Sequence, residues 1–361
     1  MDQGHFELLK AVSEVHGTSG HEHLVAKKVV ELAKPFSDKI DFDNLGSVIA
    51  FQQGRLPNFT VMLSAHMDEV GFIINKIEDS GFIRFSPIGG WWGHVILAQV
   101  MAITTRSGKS LIGVVGAQPP HGMSSEMKNR VLDIKDMYVD LGVSNKKMVE
   151  DLGISVGDFM TPHNEVRVMH DEKTLLGKAW DDRLGVAIVL ETLKQLQSES
   201  HPATIAAAFT VQEEVGLRGA KTAAYRIKPD VAFAIDVTMS YDVPTAPKNP
   251  GKLGSGVALS LLDGSVIAHR GLFDYVENLA KKNNIRYAYD LMTVGGSDAG
   301  EIHKQFDGVV TMTLSIPCRY YHSHVSMIHY DDFLETVKLL KAILLDLTPK
   351  KLAQIRETKY Q

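Results

Sequence analysis

The sequence predicts an α/β protein in which both chain ends form a central mixed sheet flanked by helices, with a small β-barrel domain inserted. After about residue 170, apolar runs of strand length alternate with amphipathic helical patterns. Between about 70 and 165, short alternating strands are punctuated by glycine and proline, and long helical patterns are scarce. We therefore assign residues 1–69 and 166–361 to one domain and residues 70–165 to the insertion.

The N-terminal part predicts two amphipathic helices, over 5–16 and 22–36, that are separated by the polar turn GTSG. A strand follows at LGSVIAF, and the run FTVMLSA is a buried strand that ends directly before His66. In the insertion, the segments VGFIINKI, GFIRFSPI, HVILAQVMAI and SLIGVVG predict strands of a small barrel. The adjacent Trp91 and Trp92 of this insertion are either an exposed interface or part of the barrel core.

The C-terminal part predicts alternating helices and strands, as expected for a sheet that helices cover on both faces. The predicted strands are TIAAAFTV at 204–211, DVAFAI at 230–235 and VVTMTLS at 309–315. The predicted helices span 181–197, 218–226, 270–284 and 331–347.

Composition excludes several classes of function. The net charge is −5 without a basic tract, so nucleic acid is not an expected partner. No apolar run approaches the roughly 20 residues of a membrane span. Cys318 is the only cysteine, which excludes an intrachain disulfide. Because the N-terminal segment MDQGHFELLK lacks the features of a signal peptide, we expect a cytoplasmic location and no membrane association.

Metal-binding residue types follow several predicted strands, where α/β sheets bind their ligands. Each group alone has an ordinary explanation, such as a helix N-cap for the aspartates or a solvated acidic pair for the glutamates. Their joint occurrence at these positions favours a site for divalent ions. The residues are His66, Asp68, Asp181, Asp182, Glu213, Glu214, Asp236, His322 and His324.

Amide hydrolysis explains why such a set would be assembled. Two metal ions about 3.5–4 Å apart can activate a water molecule and stabilise the oxyanion. One carboxylate must bridge the ions, and each ion needs a histidine and a terminal carboxylate. A further, unligated carboxylate must carry the proton from the water to the leaving amine. Because successive side chains at a strand end point in different directions, the adjacent Glu213 and Glu214 suit this division between ligand and base.

Six motifs resemble those of the tetrahedral-shell aminopeptidases, a family that includes glutamyl and deblocking aminopeptidases and some members that carry the older name endoglucanase. The resemblance covers nearly the whole chain and implies a zinc-peptidase-like catalytic domain. It implies a metal-dependent aminopeptidase that removes N-terminal residues from short peptides. The motifs are SAHMDEVGF, KAWDDRLG, VQEEVGLRGA, AIDV, GGSDAG and CRYYHSH.

The resemblance also implies residue roles. His66 and Asp236 would hold one ion, Glu214 and His322 the other, and Asp181 would bridge them. Glu213 would be the general base and acid, and Asp68 would hydrogen-bond the His66 ring. We favour His322 over His324 because it follows Arg-Tyr-Tyr in register with the motif. The peptide between Asp181 and Asp182 is expected to be cis.

The implied cofactors are two divalent ions per subunit, Zn²⁺ or Co²⁺ with Mn²⁺ also compatible. The implied partners are short peptides and further copies of the chain, joined through the insertion as a dimer or a dodecamer. An N-deacylase of the same clan is an alternative, although its usual lid is an α/β domain. A glycosidase would need paired carboxylates but no metal-binding histidine. A shell protein without catalysis is disfavoured because every implied position holds a competent residue.

Overall fold

The computed structural model describes residues 1–248 and 251–360. The helices are α1 (Gln3–Ser13), α2 (His23–Ala33), α3 (Ser125–Lys128), α4 (Lys146–Asp151), α5 (Trp180–Leu196), α6 (Arg218–Ile227), α7 (Arg270–Lys282), α8 (Ala299–Ile302), α9 (Tyr330–Asp346) and α10 (Pro349–Glu357). None of the helices in these two described ranges has both the length and the apolar character required to span a bilayer.

Seventeen strands are described. They are β1 (Lys39–Phe42), β2 (Val48–Gln52), β3 (Leu56–His66), β4 (Gly71–Ile77), β5 (Ile83–Ile88), β6 (Val100–Thr104), β7 (Ser110–Gly116), β8 (Tyr138–Asp140), β9 (Phe159–Pro162), β10 (Arg167–Val168), β11 (Thr174–Gly177), β12 (Ala203–Thr210), β13 (Val231–Met239), β14 (Val257–Leu262), β15 (Tyr287–Leu291), β16 (Val310–Cys318) and β17 (Ser326–His329).

Eight strands form the central mixed sheet, in the order β1-β2-β12-β3-β13-β16-β14-β15. The four inner strands β12, β3, β13 and β16 run parallel to one another. Their carboxyl ends therefore lie at the same edge of the sheet, which is where α/β proteins bind ligands. The strands β10, β11 and β17 form a separate small sheet.

Helices cover both faces of the central sheet. Along β3, Val61 and Leu63 pack into the large core on one face, whereas the intervening Met62 packs into a smaller core on the other. The large core includes apolar residues of α5 and α9, and the small core includes Ala220 and Ala223 of α6. Both faces of β12 and β13 are buried in the same way, which explains their continuous apolar sequences.

The insertion is a closed antiparallel barrel with the strand order β4-β5-β8-β7-β6-β9. It has its own core, in which Phe72 contacts Phe85 and stacks on Trp91. Trp91 also donates a hydrogen bond to the Gly71 carbonyl, whereas Trp92 is 61% exposed. The two tryptophans thus have different roles: Trp91 packs against the barrel core, and Trp92 faces solvent.

The predicted fold class is confirmed, and most predicted elements lie within a few residues of their observed bounds. One predicted strand is shorter than expected. The segment HVILAQVMAI forms a strand only from Val100, because residues 93–95 form a 3-10 turn and Ala98 adopts a left-handed φ of 61°. The strands that were not predicted are β1, β8, β9, β14, β15 and those of the small sheet, and the helices that were not predicted are α3, α4, α8 and α10.

Candidate metal centre and active site

Elements of the parallel region bring the predicted metal ligands to one edge of the sheet. His66 is the last residue of β3, and Asp236 lies in β13. Glu213 and Glu214 follow β12, so that three neighbouring strands contribute carboxylates or imidazole to the same place. The remaining groups come from the start of α5 and from the loop after β16.

Asp181 lies between the two imidazoles. Its Oδ1 is 3.1 Å from Nε2 of His66, and its Oδ2 is 3.2 Å from Nε2 of His322. The peptide bond between Asp181 and Asp182 is cis, as the motif resemblance implied. One carboxylate thus presents a separate oxygen to each histidine, an arrangement that suits a group shared by two ions.

The other carboxylates surround this pair. Oε2 of Glu214 is 3.2 Å from Nε2 of His322, and Oδ1 of Asp236 is 3.9 Å from Nε2 of His66. Oε2 of Glu213 is 3.8 Å from the same His66 nitrogen. Potential ligand atoms of His66, Glu213 and Asp236 lie within 4.8 Å of one another, as do those of His66, Asp181 and Glu214. Distance alone therefore does not separate a ligand from a general base.

Backbone carbonyls orient both imidazoles. Nδ1 of His66 lies 3.0 Å from the Asp68 carbonyl oxygen and 3.5 Å from Oδ1 of the same residue. Nδ1 of His322 lies 3.0 Å from the Gly90 carbonyl oxygen. A carbonyl can only accept, so the proton of each neutral ring sits on Nδ1. In that neutral form, which metal binding requires, the lone pair of each Nε2 would face the carboxylates.

The Asp68 side chain holds the loop that carries the two glutamates. Its two carboxylate oxygens accept the backbone N–H groups of Glu213 and Glu214 at 3.0 and 3.2 Å. The hydroxyl of Ser19 donates to the same carboxylate at 2.6 Å. Burial alone would raise the pKa of Asp68. The contact with His66 and these hydrogen-bond donors nevertheless hold that pKa below its usual value. Asp68 therefore fixes the positions of both glutamates in addition to contacting the His66 ring.

Electrostatics favour cation binding. Burial, with repulsion from acidic neighbours, raises the pKa values of Glu213, Glu214 and Asp236. Burial would lower the pKa of His322, but Asp181 and Glu214 raise it to about 11. Among the described residues, the buried Oε1 of Glu214 has no hydrogen-bond partner. Buried, mutually repelling carboxylates with an unpaired oxygen and two imidazole nitrogens are a donor set that fits divalent ions.

The second histidine of the CRYYHSH motif points elsewhere. Nε2 of His324 lies 2.8 Å from the carbonyl oxygen of Val100 in β6, and burial lowers the pKa of this ring. The Nε2 of His324 is thus taken by a carbonyl, whereas that of His322 faces Asp181 and Glu214.

Several supporting residues were not predicted from the sequence. The fully buried Lys178 donates to Glu69 at 2.6 Å, and Arg183 donates to the carbonyl of Met67 and to carbonyls of residues 12, 15 and 17. These contacts join the N-terminal segment to the start of α5. Both cations belong to the motif KAWDDRLG, but only the fold shows that they are buried beneath the site.

An open cavity of about 490 Å³ lies over the candidate site. Asp181, Glu213, Glu214, Asp236 and His322 all line it. Gly295 and Gly296 of the GGSDAG motif also line it, so this loop lies at the cavity. A ligand in the cavity would therefore touch the predicted metal site and the glycine loop together.

Comparison with known proteins gives a consistent result. A model of the M42 glutamyl aminopeptidase family matches residues 46–339. A lysyl aminopeptidase of Pyrococcus furiosus is 35% identical over 95% of this chain and 98% of its own. A TET aminopeptidase of a marine sediment Thaumarchaeota archaeon is 33% identical, with a TM-score of 0.94 over 98% and 100% of the two chains. The TET1 peptidase of Pyrococcus horikoshii, described as assembling into a tetrahedron or a large octahedral shell, is 32% identical with a TM-score of 0.84 over 95% and 100%.

Proposed function

The chain belongs to the M42 glutamyl aminopeptidase family and is a peptidase, and from this premise we propose a specific mechanism. The protein would remove N-terminal residues from short peptides with two divalent metal ions per subunit. The observation that carries this proposal is the position of Asp181, whose two oxygens lie 3.1 and 3.2 Å from the Nε2 atoms of two histidines.

The residues divide into two ligand sets. His66 and Asp236 would hold one ion, His322 and Glu214 would hold the other, and Asp181 would contact both. When bound, the two ions would lower the pKa of a water molecule and polarise the scissile carbonyl group. Zn²⁺ and Co²⁺ suit this mixture of imidazole and carboxylate, and Mn²⁺ is also compatible.

Glu213 would move the proton. Its carboxylate would accept a proton from the attacking water and deliver it to the leaving amine. Burial and the neighbouring Asp236 raise the pKa of Glu213, which favours the uptake of a proton by this carboxylate. The hydrogen bond from its backbone N–H to Asp68 would hold it in place.

The inserted domain would join subunits. We propose that residues 70–165 form the dimerisation domain and that residues 1–69 and 166–361 form the catalytic domain. The exposed Trp92 on the barrel supports an interface there, because exposed aromatic side chains favour association. The shell assembly of the related TET1 peptidase supports a dimer or dodecamer of this chain. A closed shell would admit short or unfolded peptides and exclude folded proteins.

Metal removal tests the central proposal. Prolonged dialysis against a chelator should abolish hydrolysis of leucine p-nitroanilide and of short peptides, and added Zn²⁺ or Co²⁺ should restore it. Full activity of a protein shown to be metal-free would contradict the proposal. Parallel assays with N-acylated amino acids and a β-glucan distinguish the deacylase and the glycosidase alternatives, because each predicts hydrolysis of only one of those substrates.

A further inference from the structure

The walls of the cavity next to the metal centre are apolar. Apart from the site residues, the cavity is lined by glycines and by five apolar or aromatic side chains. The hydroxyl of Tyr321 lies 3.8 Å from the sulfur of Met292, so these two side chains meet at one wall. The five side chains are Leu217, Val237, Met292, Val294 and Tyr321.

No lysine or arginine within residues 1–248 and 251–360 lines this cavity. Three arginines lie within two residues of a cavity residue in the sequence, and all three bind elsewhere. Arg183 donates to backbone carbonyls beneath the site. Arg218 donates to Gln212, and Arg319 forms a two-bond ion pair with Asp242 at 2.8 and 2.6 Å. An acidic side chain in the cavity would therefore meet no lysine or arginine of the described residues. A basic side chain would meet only the carboxylates of the proposed metal site.

The wall that carries Met292 is fixed from behind. Asp298 accepts hydrogen bonds from Ser64 of β3 and Thr210 of β12 at 2.5 and 2.6 Å. Ser297 donates to Asp263 at 2.8 Å. The two Asp298 bonds attach the GGSDAG loop to β3, which ends at His66, and to β12, which ends just before the segment that carries Glu213. The cavity is thus preformed, as binding pockets usually are.

The geometry points to an uncharged, apolar side chain at the N-terminus of the substrate, of leucine or methionine type, with Met292 as a specificity-determining contact. This inference rests on the proposed aminopeptidase function. An apolar pocket accepts such a side chain by burying its surface. A charged side chain would lose its hydration there without gaining a partner.

A panel of aminoacyl p-nitroanilides tests the inference. The value of kcat/KM for leucine and methionine substrates should exceed that for glutamate and lysine substrates by about 100-fold. Burying an unpaired charge in an apolar pocket costs more binding free energy than adding or removing one methylene group. A wild-type preference for glutamate or lysine would overturn the inference and leave the aminopeptidase proposal standing. Hydrolysis of none of the substrates by the metal-loaded protein would instead contradict the proposed function.

Two substitutions of Met292 test its role. Met292→Lys keeps the side-chain length and adds a positive charge, so the ratio of glutamate to leucine kcat/KM should rise by at least about tenfold. Met292→Leu is the matched control and should leave this ratio unchanged. Equal ratios in the two variants would overturn the assignment. If Met292→Lys unfolds, Val294→Lys provides the same charge at a cavity position that is 69% exposed, and the same ratio decides.

Discussion

Replacing Glu213 with glutamine separates proton transfer from metal binding. The variant keeps the size of the side chain and its backbone hydrogen bond to Asp68, so the loop should stay in place. The carboxylate is only 9% exposed, and its Oε2 lies 3.8 Å from His66, which is beyond hydrogen-bond distance. Glutamine should therefore fit without disturbing the imidazole or the other carboxylates.

The expected loss is confined to the chemical step. Glutamine cannot accept a proton from water, and a positioned general base typically contributes about 10²–10⁴-fold to the rate. That factor corresponds to roughly 3–5 kcal/mol of activation free energy. We expect kcat to fall by this amount while KM changes little, because Glu213 is assigned no ground-state contact with the substrate.

Glu214→Gln is the matched control, since it makes the same chemical change one residue further along the chain. Oε2 of Glu214 lies 3.2 Å from Nε2 of His322, and we expect this variant to lose metal as well as activity. Metal content measured by elemental analysis, together with kcat, decides between the two roles. Loss of an ion from Glu213→Gln, with both ions retained in Glu214→Gln, would show that the two assignments are reversed.

Three further predictions concern the site, the assembly and the fold. Asp181→Ala should reduce kcat/KM by at least about 10³-fold, because it removes a ligand of both ions, and elemental analysis should show loss of both. Light scattering should give a dimer or dodecamer of the 39.8 kDa chain, and a monodisperse monomer would contradict the proposed interface. Burial raises the pKa of Glu22 from 4.5 to about 7, so its ionised form destabilises the fold above about pH 7 and not below about 4.5. Glu22→Gln should therefore be more stable than the parent at pH 8, by up to about 3 kcal/mol, and the difference should vanish near pH 4.5 in denaturant titrations.

The inner strands and their ends could be predicted because their sequences carry a strong local signal. The runs that form β12, β13 and the second half of β3 are mainly apolar, since both faces of these segments are buried. The strand β16 is equally buried, although it also contains two threonines and a serine. Each leads to a polar residue at or just beyond its carboxyl end. Because parallel strands end at the same edge of a sheet, these polar residues had to lie at one edge. The position of the site could therefore be predicted from the sequence.

Other elements have weaker signals. The strand β15 lies at the edge of the sheet. Burial alternates along its five residues, and its two tyrosines and its leucine occupy the less buried positions. The strands β10, β11 and β17 are two to four residues long, too short for a period of two to be recognised. The contacts of the GGSDAG loop could not be predicted either, because Asp298 and its hydrogen-bond partner Ser64 are 234 residues apart in the sequence.

Contacts between the barrel and the candidate site also join residues that are far apart in the sequence. The carbonyl that orients His322 belongs to Gly90, in the connection between β5 and β6 of the inserted domain. An added Cβ at Gly90 would approach Nδ1 of His322 to 3.2 Å, so this position holds the ring closely from that side. His324, two residues further on, contacts β6 through Val100. The loop that carries His322 is therefore positioned by the barrel as much as by the sheet. Contacts that served only assembly would not need to reach these residues, and the orientation of one imidazole in the site depends on how the barrel packs against the central sheet.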